Sequence, residues 1–461
     1  MDRVGVLAIC YGSRGAALVD TLRNSEEYNV ELYVVDRQNN PLNAEVAKVH
    51  WVLPNLDVDE ICRCASKYRN ALDFCIVGPE APILDGIREK LEERCKLTAL
   101  CPTSDYALEG SKARQRVLLD EYAPDLNPRY KIFTPPMKDV AEKFKKWVDE
   151  LGGIENTVIK PDKPGFGKGV GVGGEHFYTL EDGFKHFSSI FDGGGSVVVE
   201  EKVEGEESSY QALCDGKTLT ILPETRDYKR AFDGDVGPNT GGMGAYRGGE
   251  KWLPFLTEIE WSYEVEKVEE VFKRIKGRGR NPSLLGVPFY IAFIHTGKGL
   301  KILEINSRPG DPEILCILPT LNGDLVEACF KMLDGNLSGL SFDRKAGVAI
   351  YAVPLTYGGY RSKYSGSMKV DLKGAYILKE RYRRCLSIYP GAMELRGKET
   401  YALTSRTVVM VGVDDELEEA RKIALDGITH VDGPLWNRMD IGSSRHVKQS
   451  IEHMRALRYD S

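Results

Sequence analysis

The chain has 461 residues, 42% of them hydrophobic and 28% charged, with a formal net charge of −7. That length supports about three domains whose cores need neither disulfide nor metal to hold them. The acidic balance argues against a nucleic-acid or membrane-surface protein, which would carry a basic face, so an anionic ligand must be held by local cations and backbone amides.

The first residues, MDRVGVLAIC, include Asp2 and lead to Arg14, and they read as a first strand rather than a signal peptide. No run reaches the ~18 uninterrupted apolar residues of a membrane span. Residues 1–104 alternate apolar strands (RVGVLAIC, ELYVVD, ALDFCIVG) with helix signals such as AALVDTLRN. This pattern predicts a parallel sheet covered on both faces, with ligands beyond the carboxyl ends of its strands. Two loops fall there, CYGSRGAA (10–17) and GPEAP (78–82). A dinucleotide-binding start is the alternative, but residues 10–17 lack G-x-G-x-x-G. The ten cysteines are scattered, mostly in apolar contexts, and the Cys62/Cys64 pair has no second pair at metal-binding spacing. Reduced core thiols and a cytoplasmic location are expected.

From about residue 105 the pattern changes. TVIKPDKPGFGKGVGV (157–172) reads as strand, glycine turn, strand, followed by a helix capped by Thr179 with Asp182 three residues on; SVVVEEKVEGEES (196–208) returns as a strand. After the glycine-rich GDVGPNTGGMGAY (234–246), a helix over 257–276 carries a Thr257/Glu260 capping box and an apolar stripe of Val265, Val268, Phe272 and Ile275. FYIAFIHT and LKILEIN form an antiparallel pair about Gly297–Gly299. The last segment holds the strands GVAIYAV and RTVVMVGV and the amphipathic helix DELEEARKIALDGI. The expected units are 1–104, 105–335 with a small lid near 130–203, and 336–461.

Three stretches carry chemistry. Gly165–Gly169 fails as a P-loop, because Gly169 rather than Ser or Thr follows Lys168 and a strand follows the loop. It is either a hairpin folded over a phosphate or an ordinary glycine turn with a solvated lysine. In LEIN (303–306), period-two alternation puts Glu304 and Asn306 on one face and Leu303 and Ile305 in the core. Two adjacent oxygen ligands suit Mg²⁺ bridging nucleotide phosphates, and a solvent-facing strand side is the other reading. Arg308, beside the Pro-Gly turn, can fork onto a phosphate or carboxylate.

VGPEAP (77–82), LEGSKA (108–113), DYKR…DGDVGPNTGGMGAY (227–246), EINSRPGDPE (304–313) and NRMDIG (437–442) resemble, in this order, the landmark motifs of the phosphoribosylamine–glycine ligase family, the glycinamide ribonucleotide synthetases of purine biosynthesis. The resemblance runs nearly end to end. It implies an α/β, ATP-grasp fold: a Rossmann-like parallel-sheet domain, an ATP-grasp domain with a lid, and a mixed C-terminal domain. It implies ATP as co-substrate, Mg²⁺ or Mn²⁺ as metal, and glycine and 5-phosphoribosylamine as substrates of a monomer or homodimer.

By the same resemblance, Lys112 and Lys160 contact the phosphates, and Gly167, Lys168 and Gly169 form the flap. Glu200, Glu201 and Val203 border adenine, Glu207 holds the ribose, and Glu304 and Asn306 hold the metal. Arg308, Lys229 and Asp227 are the catalytic candidates. Gly12, Arg14, Glu80, Asn239, Thr240, Gly241, Gly242, Met243 and Asp311 are the substrate-binding candidates. The chain departs from the family pattern at Gly15 and Ala16, where Glu and His are usual, at Tyr228 for a histidine, at Pro309 for a phenylalanine and at Leu315 for a glutamine. Gly15, Ala16 and Tyr228 lie where the amine substrate is expected.

Overall fold

A computed structural model describes residues 1–165 and 169–459. Gly167 and Lys168 of the expected flap therefore lie outside the described residues. The chain opens with strands β1 (Asp2–Cys10), β2 (Tyr28–Asp36), β3 (Val49–Val52), β4 (Phe74–Val77) and β5 (Ala99–Leu100), all parallel, in the order β3-β2-β1-β4-β5. On β1, Val6 and Ala8 enter one core cluster while Leu7 and Ile9 enter another, so the strand is buried on both faces. That burial is why it reads as an unbroken apolar run rather than an alternating one. Helix α1 (Gly12–Arg23) starts at its carboxyl end; α2 (Pro41–Val46), α3 (Val58–Ser66), α4 (Glu80–Leu84) and α5 (Ile87–Cys95) connect the rest.

Helix α6 (Lys112–Tyr122) leads to a second unit. Its strands β6 (Tyr130–Phe133), β7 (Thr157–Pro161), β8 (Gly171–Val172) and β9 (Val197–Glu201) form a sheet in the order β6-β9-β7-β8. Helices α7 (Val140–Glu150) and α8 (Leu180–Phe191) cover it, packing Phe144 and Phe187 on Phe133, with Phe191 stacked on Phe187. The predicted cap is present: Thr179 Oγ1 accepts from Asp182 N at 3.1 Å. The predicted strand over 196–208 divides, because β9 ends at Glu201 and β10 (Glu206–Cys214) enters a different sheet. Residues 202–205 are the crossing between the two.

That next sheet runs β11 (Leu219–Ile221), β10, β16 (Gly286–Thr296), β17 (Gly299–Asn306). Between β11 and β16 come β12 (Arg226–Asp227), β13 (Arg230–Phe232), β14 (Val236–Asn239), β15 (Gly244–Arg247) and helix α9 (Glu258–Lys276), whose Thr257/Glu260 capping box forms as expected. Part of GDVGPNTGGMGAY is thus strand rather than loop, since β13 and β14 make a hairpin and β15 follows.

After α10 (Glu313–Ile317) come a short β18–β19 ladder (Leu321–Asn322 and Ser341–Phe342), with helix α11 (Leu325–Asp334) between its strands, and then β20 (Ala346–Pro354). Next are β21 (Lys369–Val370), α12 (Lys373–Tyr382), β22 (Leu386–Pro390), β23 (Met393–Arg396), β24 (Glu399–Ala402), β25 (Val408–Asp414), α13 (Leu417–Thr429), β26 (Leu435–Trp436) and α14 (Ser444–Tyr459). The C-terminal sheet runs β12-β15-β20-β25-β22, so residues 226–247 extend a sheet built otherwise from residues beyond 345.

Candidate active site

Strand β17 sets the site. Its pairing with β16 shifts between Ala292, opposite Glu304, and Phe293, opposite Ile302, which leaves Leu303 as an unpaired bulge residue. The expectation that Leu303 enters the core is corrected by this extra residue: Leu300, Ile302 and Ile305 form the apolar face instead. The freed Leu303 carbonyl accepts from Lys160 Nζ at 3.2 Å and Arg116 Nη2 at 2.8 Å. Glu304 and Asn306 remain together, with Asn306 Nδ2 3.5 Å from Glu304 Oε1.

Lys160, on β7, reaches Glu200 Oε2 at 2.7 Å, and Arg116 clasps the same buried carboxylate at 2.6 and 3.0 Å. Burial would raise the Glu200 carboxyl, but Arg116 and Lys160 more than offset it and bring it down to about 2. Glu201 is held by Arg129 at 2.8 Å, and Val203 sits in the crossing to β10. The Glu200 and Glu201 side chains are thus engaged, and their main chain runs in the sheet between β6 and β7. Lys112 stands at the first turn of α6, its Nζ 3.5 Å from the Lys163 carbonyl. Lys229 Nζ pairs with Glu207 at 2.5 Å. Burial raises the Glu304 carboxyl, yet Lys229, Lys112 and Lys160 together bring it below its ordinary value, so all three lysines bear on one ionised carboxylate. Glu304 and Asn306 supply hard oxygen donors on one strand face beside these lysines. The set fits a divalent cation that arrives with phosphates.

A second group joins β17 to the N-terminal sheet. Arg308 Nη2 is 3.2 Å from Glu109 and its Nε 3.6 Å from Glu80, while Arg14 Nη2 is 3.3 Å from Glu80 and its Nη1 donates to the Pro309 carbonyl at 2.7 Å. Both arginines keep a buried Nε–H with no hydrogen-bond partner, a donor left for an anion. Gly15 and Ala16 have a packing reason: a Cβ on Gly15 would lie 2.6 Å from Cys10 Cβ, so α1 rests directly on β1.

The third group surrounds residues 239–243. Thr240 Oγ1 donates to the Lys229 carbonyl at 2.9 Å and accepts from Gly242 N at 3.1 Å, and Gly241 N donates to Tyr357 Oη at 3.2 Å. Gly242 has φ +101°, and a Cβ there would meet Asp227 Oδ1 at 2.8 Å and Pro312 Cδ at 2.6 Å. Two expectations change here. The Met243 side chain is fully buried in the core, and its main chain is tied to the Tyr228 carbonyl and the Tyr351 amide, so the residue anchors the loop. The Thr240 hydroxyl is spent within the loop.

Tyr228 likewise turns away from the site: its hydroxyl meets His446 Nδ1 at 3.0 Å and Gly442 N at 3.0 Å, inside the C-terminal segment. Its departure from histidine therefore alters that packing, not the site's lining. Asp227 Oδ1 and Glu313 Oε2 are buried without partners. Burial first, then Glu313, pushes the Asp227 carboxyl well above its usual range, against Lys229.

Sequence reasoning missed Glu313, Glu109, Arg116 and Arg406. Arg406 Nη1 donates to the carbonyls of Gly241 (2.5 Å), Gly242 (3.2 Å) and Asp311 (3.1 Å), and Tyr351 Oη donates to Asp311 Oδ1 at 2.6 Å. Asp311 Oδ2 also lies 3.8 Å from where a Gly12 Cβ would stand. Glu313 closes a quoted motif and was legible; Arg406, ahead of an apolar strand, gave no signal.

The family models for the N domain and the ATP-grasp (A) domain of phosphoribosylglycinamide synthetase match residues 4–108 and 110–314. The chain belongs to this family. Similar phosphoribosylglycinamide synthetase relatives, named phosphoribosylamine–glycine ligases, include those of Pyrococcus furiosus (32% identical, 99% of this chain and 98% of the relative) and Thermococcus kodakarensis (34%, 98% and 99%). The crystal structure of the Thermotoga maritima phosphoribosylamine–glycine ligase superposes with a TM-score of 0.72 at 22% identity, covering 95% of this chain and 100% of that one. N5-carboxyaminoimidazole ribonucleotide synthetase from Thermotoga maritima gives 0.60 at 16%, covering 94% and 99%. The fold is the α/β ATP-grasp fold of the synthetase family, with its N-terminal parallel sheet.

Proposed function

We propose that the chain joins glycine to 5-phosphoribosylamine at the expense of ATP, through glycyl phosphate, giving glycinamide ribonucleotide, ADP and phosphate in purine biosynthesis. The observation that supports this most is the bearing of Lys112, Lys160 and Lys229 on Glu304, beside the unpartnered Asp227 oxygen, in a chain aligned end to end with phosphoribosylamine–glycine ligases.

In the first step a glycine carboxylate oxygen attacks the γ-phosphorus of ATP and ADP leaves. Lys112 and Lys160 hold the phosphates, and Lys229 and Arg308 face the negative charge of the transferring group. Mg²⁺ or Mn²⁺ at Glu304 and Asn306, when bound, neutralises and orients those phosphates. Main-chain groups near Glu200, Glu201 and Val203 border the adenine, and Glu207 accepts from ribose hydroxyls. In the second step the ribosylamine nitrogen attacks the acyl carbon and phosphate leaves. Asp227, whose raised carboxyl suits it to take a proton, accepts one from the amine.

Gly12, Arg14, Glu80 and Asp311 receive the phosphoribosyl group at the α1 N-terminus, where helix and guanidinium both favour phosphate. Asn239, Thr240, Gly241, Gly242 and Met243 shape the glycine side through their backbone. The enzyme works in the cytoplasm as a monomer or homodimer. An ADP-release assay with ATP, Mg²⁺ and glycine, with and without freshly generated phosphoribosylamine, tests the reading. Release that depends on the ribosylamine is expected; release that ignores it and responds to another amine overturns it.

A further inference from the structure

Away from the ligase site, helix α9, strand β16 and the turn before β12 bring three ligand-type side chains together in the interior. Glu264 is 0%, Glu224 1% and His295 4% exposed. One donor atom from each lies within 4.8 Å of the others. None of the four carboxylate oxygens has a hydrogen-bond partner among the described residues. The arginines flanking Phe255 beside them are spent elsewhere, Arg226 on Glu206 and Arg458 on Glu260.

Two carboxyls buried this close together, with no Lys or Arg side chain among the described residues paired to them, must be relieved by protons or by a cation. The geometry favours the cation. His295 Nε2 stands 3.3 Å from Glu264 Oε2, and two ligands of one tetrahedral ion with bonds of about 2.0–2.1 Å are about 3.3–3.4 Å apart. Ser208 Oγ lies 2.9 Å from the same nitrogen, a further oxygen beside the cluster. An imidazole with two carboxylates selects zinc-type ions over magnesium.

We propose that Glu224, Glu264 and His295 form a zinc-type divalent-cation site, separate from Glu304 and Asn306. The ion would clasp α9 to the central sheet and pin the turn that leads, three residues later, to Asp227. Its role is structural.

The test uses the full chain, stripped with a chelator, dialysed and titrated with Zn²⁺ by calorimetry without nucleotide, then melted with and without Zn²⁺. One ion bound per chain and a raised Tm are expected. Glu264→Gln, His295→Gln and, should either fail to fold, Glu224→Gln weaken binding at least tenfold and remove the Tm gain, while Glu304→Gln keeps both. Absence of uptake by the stripped chain overturns the site. So does uptake unchanged in the Gln variants, which would put the ion on thiols. A higher Tm for metal-free Glu264→Gln, with no gain from Zn²⁺ in the parent, would mean that a shared proton neutralises the pair, and it also overturns the proposal.

Discussion

Lys160 bears on both Glu304 and Glu200, and their partners separate their roles. Glu200 is saturated by Arg116 and Lys160, whereas Glu304 receives only the long contact from Asn306 and the fields of three lysines. A saturated carboxylate braces structure; an undersatisfied one awaits a ligand. Glu304→Gln keeps the shape but removes the charge, and kcat for ADP release is expected to fall by about a hundredfold or more with an unchanged circular dichroism spectrum.

Glu200 has the opposite signature. Its folded carboxyl sits at about 2, below the ordinary 4.5, so its stabilisation is complete above the ordinary value and drains away as pH falls from 4.5 toward 2. Denaturant melts stepped across that window should show a loss of stability that Glu200→Gln lacks.

At the scale of elements, bulges and close approaches decide where side chains point. A strict alternation along β17 would have placed Leu303 in the core; the bulge removes it from the count and hands its carbonyl to Lys160 and Arg116. No residue type in LEIN announces a bulge, because the extra residue is set by the partner strand. Strand β15 shows the same dependence. A Cβ on Gly244 would lie 2.2 Å from the Ala349 carbonyl of β20, where the two strands pair. Gly244→Ala must push these strands apart and is expected to cost about 1–3 kcal/mol, read as a lowered Tm. Because β15 follows the 239–243 loop directly, the same variant should raise KM for glycine.

Across the whole molecule the site is assembled from parts far apart in sequence. Lys160 comes from β7, Glu304 from β17 of the central sheet, Arg14 from α1 after the first strand of the N-terminal sheet, and Arg406 from the segment entering β25 of the C-terminal sheet. A nucleotide held by both β7 and the central sheet should stabilise the chain by mass action, about 2.7 kcal/mol at a hundredfold excess over Kd. Lys112 is half-buried, and its Nζ makes only a long contact to the Lys163 carbonyl. Lys112→Met is therefore expected to leave the free Tm unchanged and to shrink the ATP-induced rise in thermal shift; an undiminished rise removes Lys112 from the phosphates.

The sequence alone determined the parallel N-terminal sheet, the capped helices and the position of Glu304 and Asn306 together, because hydrophobic period and capping chemistry are local. Its motifs were specific enough to announce the family. Tertiary structure decided which of those residues face a ligand: Met243 into the core, Tyr228 toward His446, the Thr240 hydroxyl into its own loop, and Arg406 across to Asp311. It also decided that residues 226–247 complete a sheet whose other strands lie a hundred residues on. Local pattern reports which side of an element is apolar, whereas partner choice depends on what another segment brings to that surface.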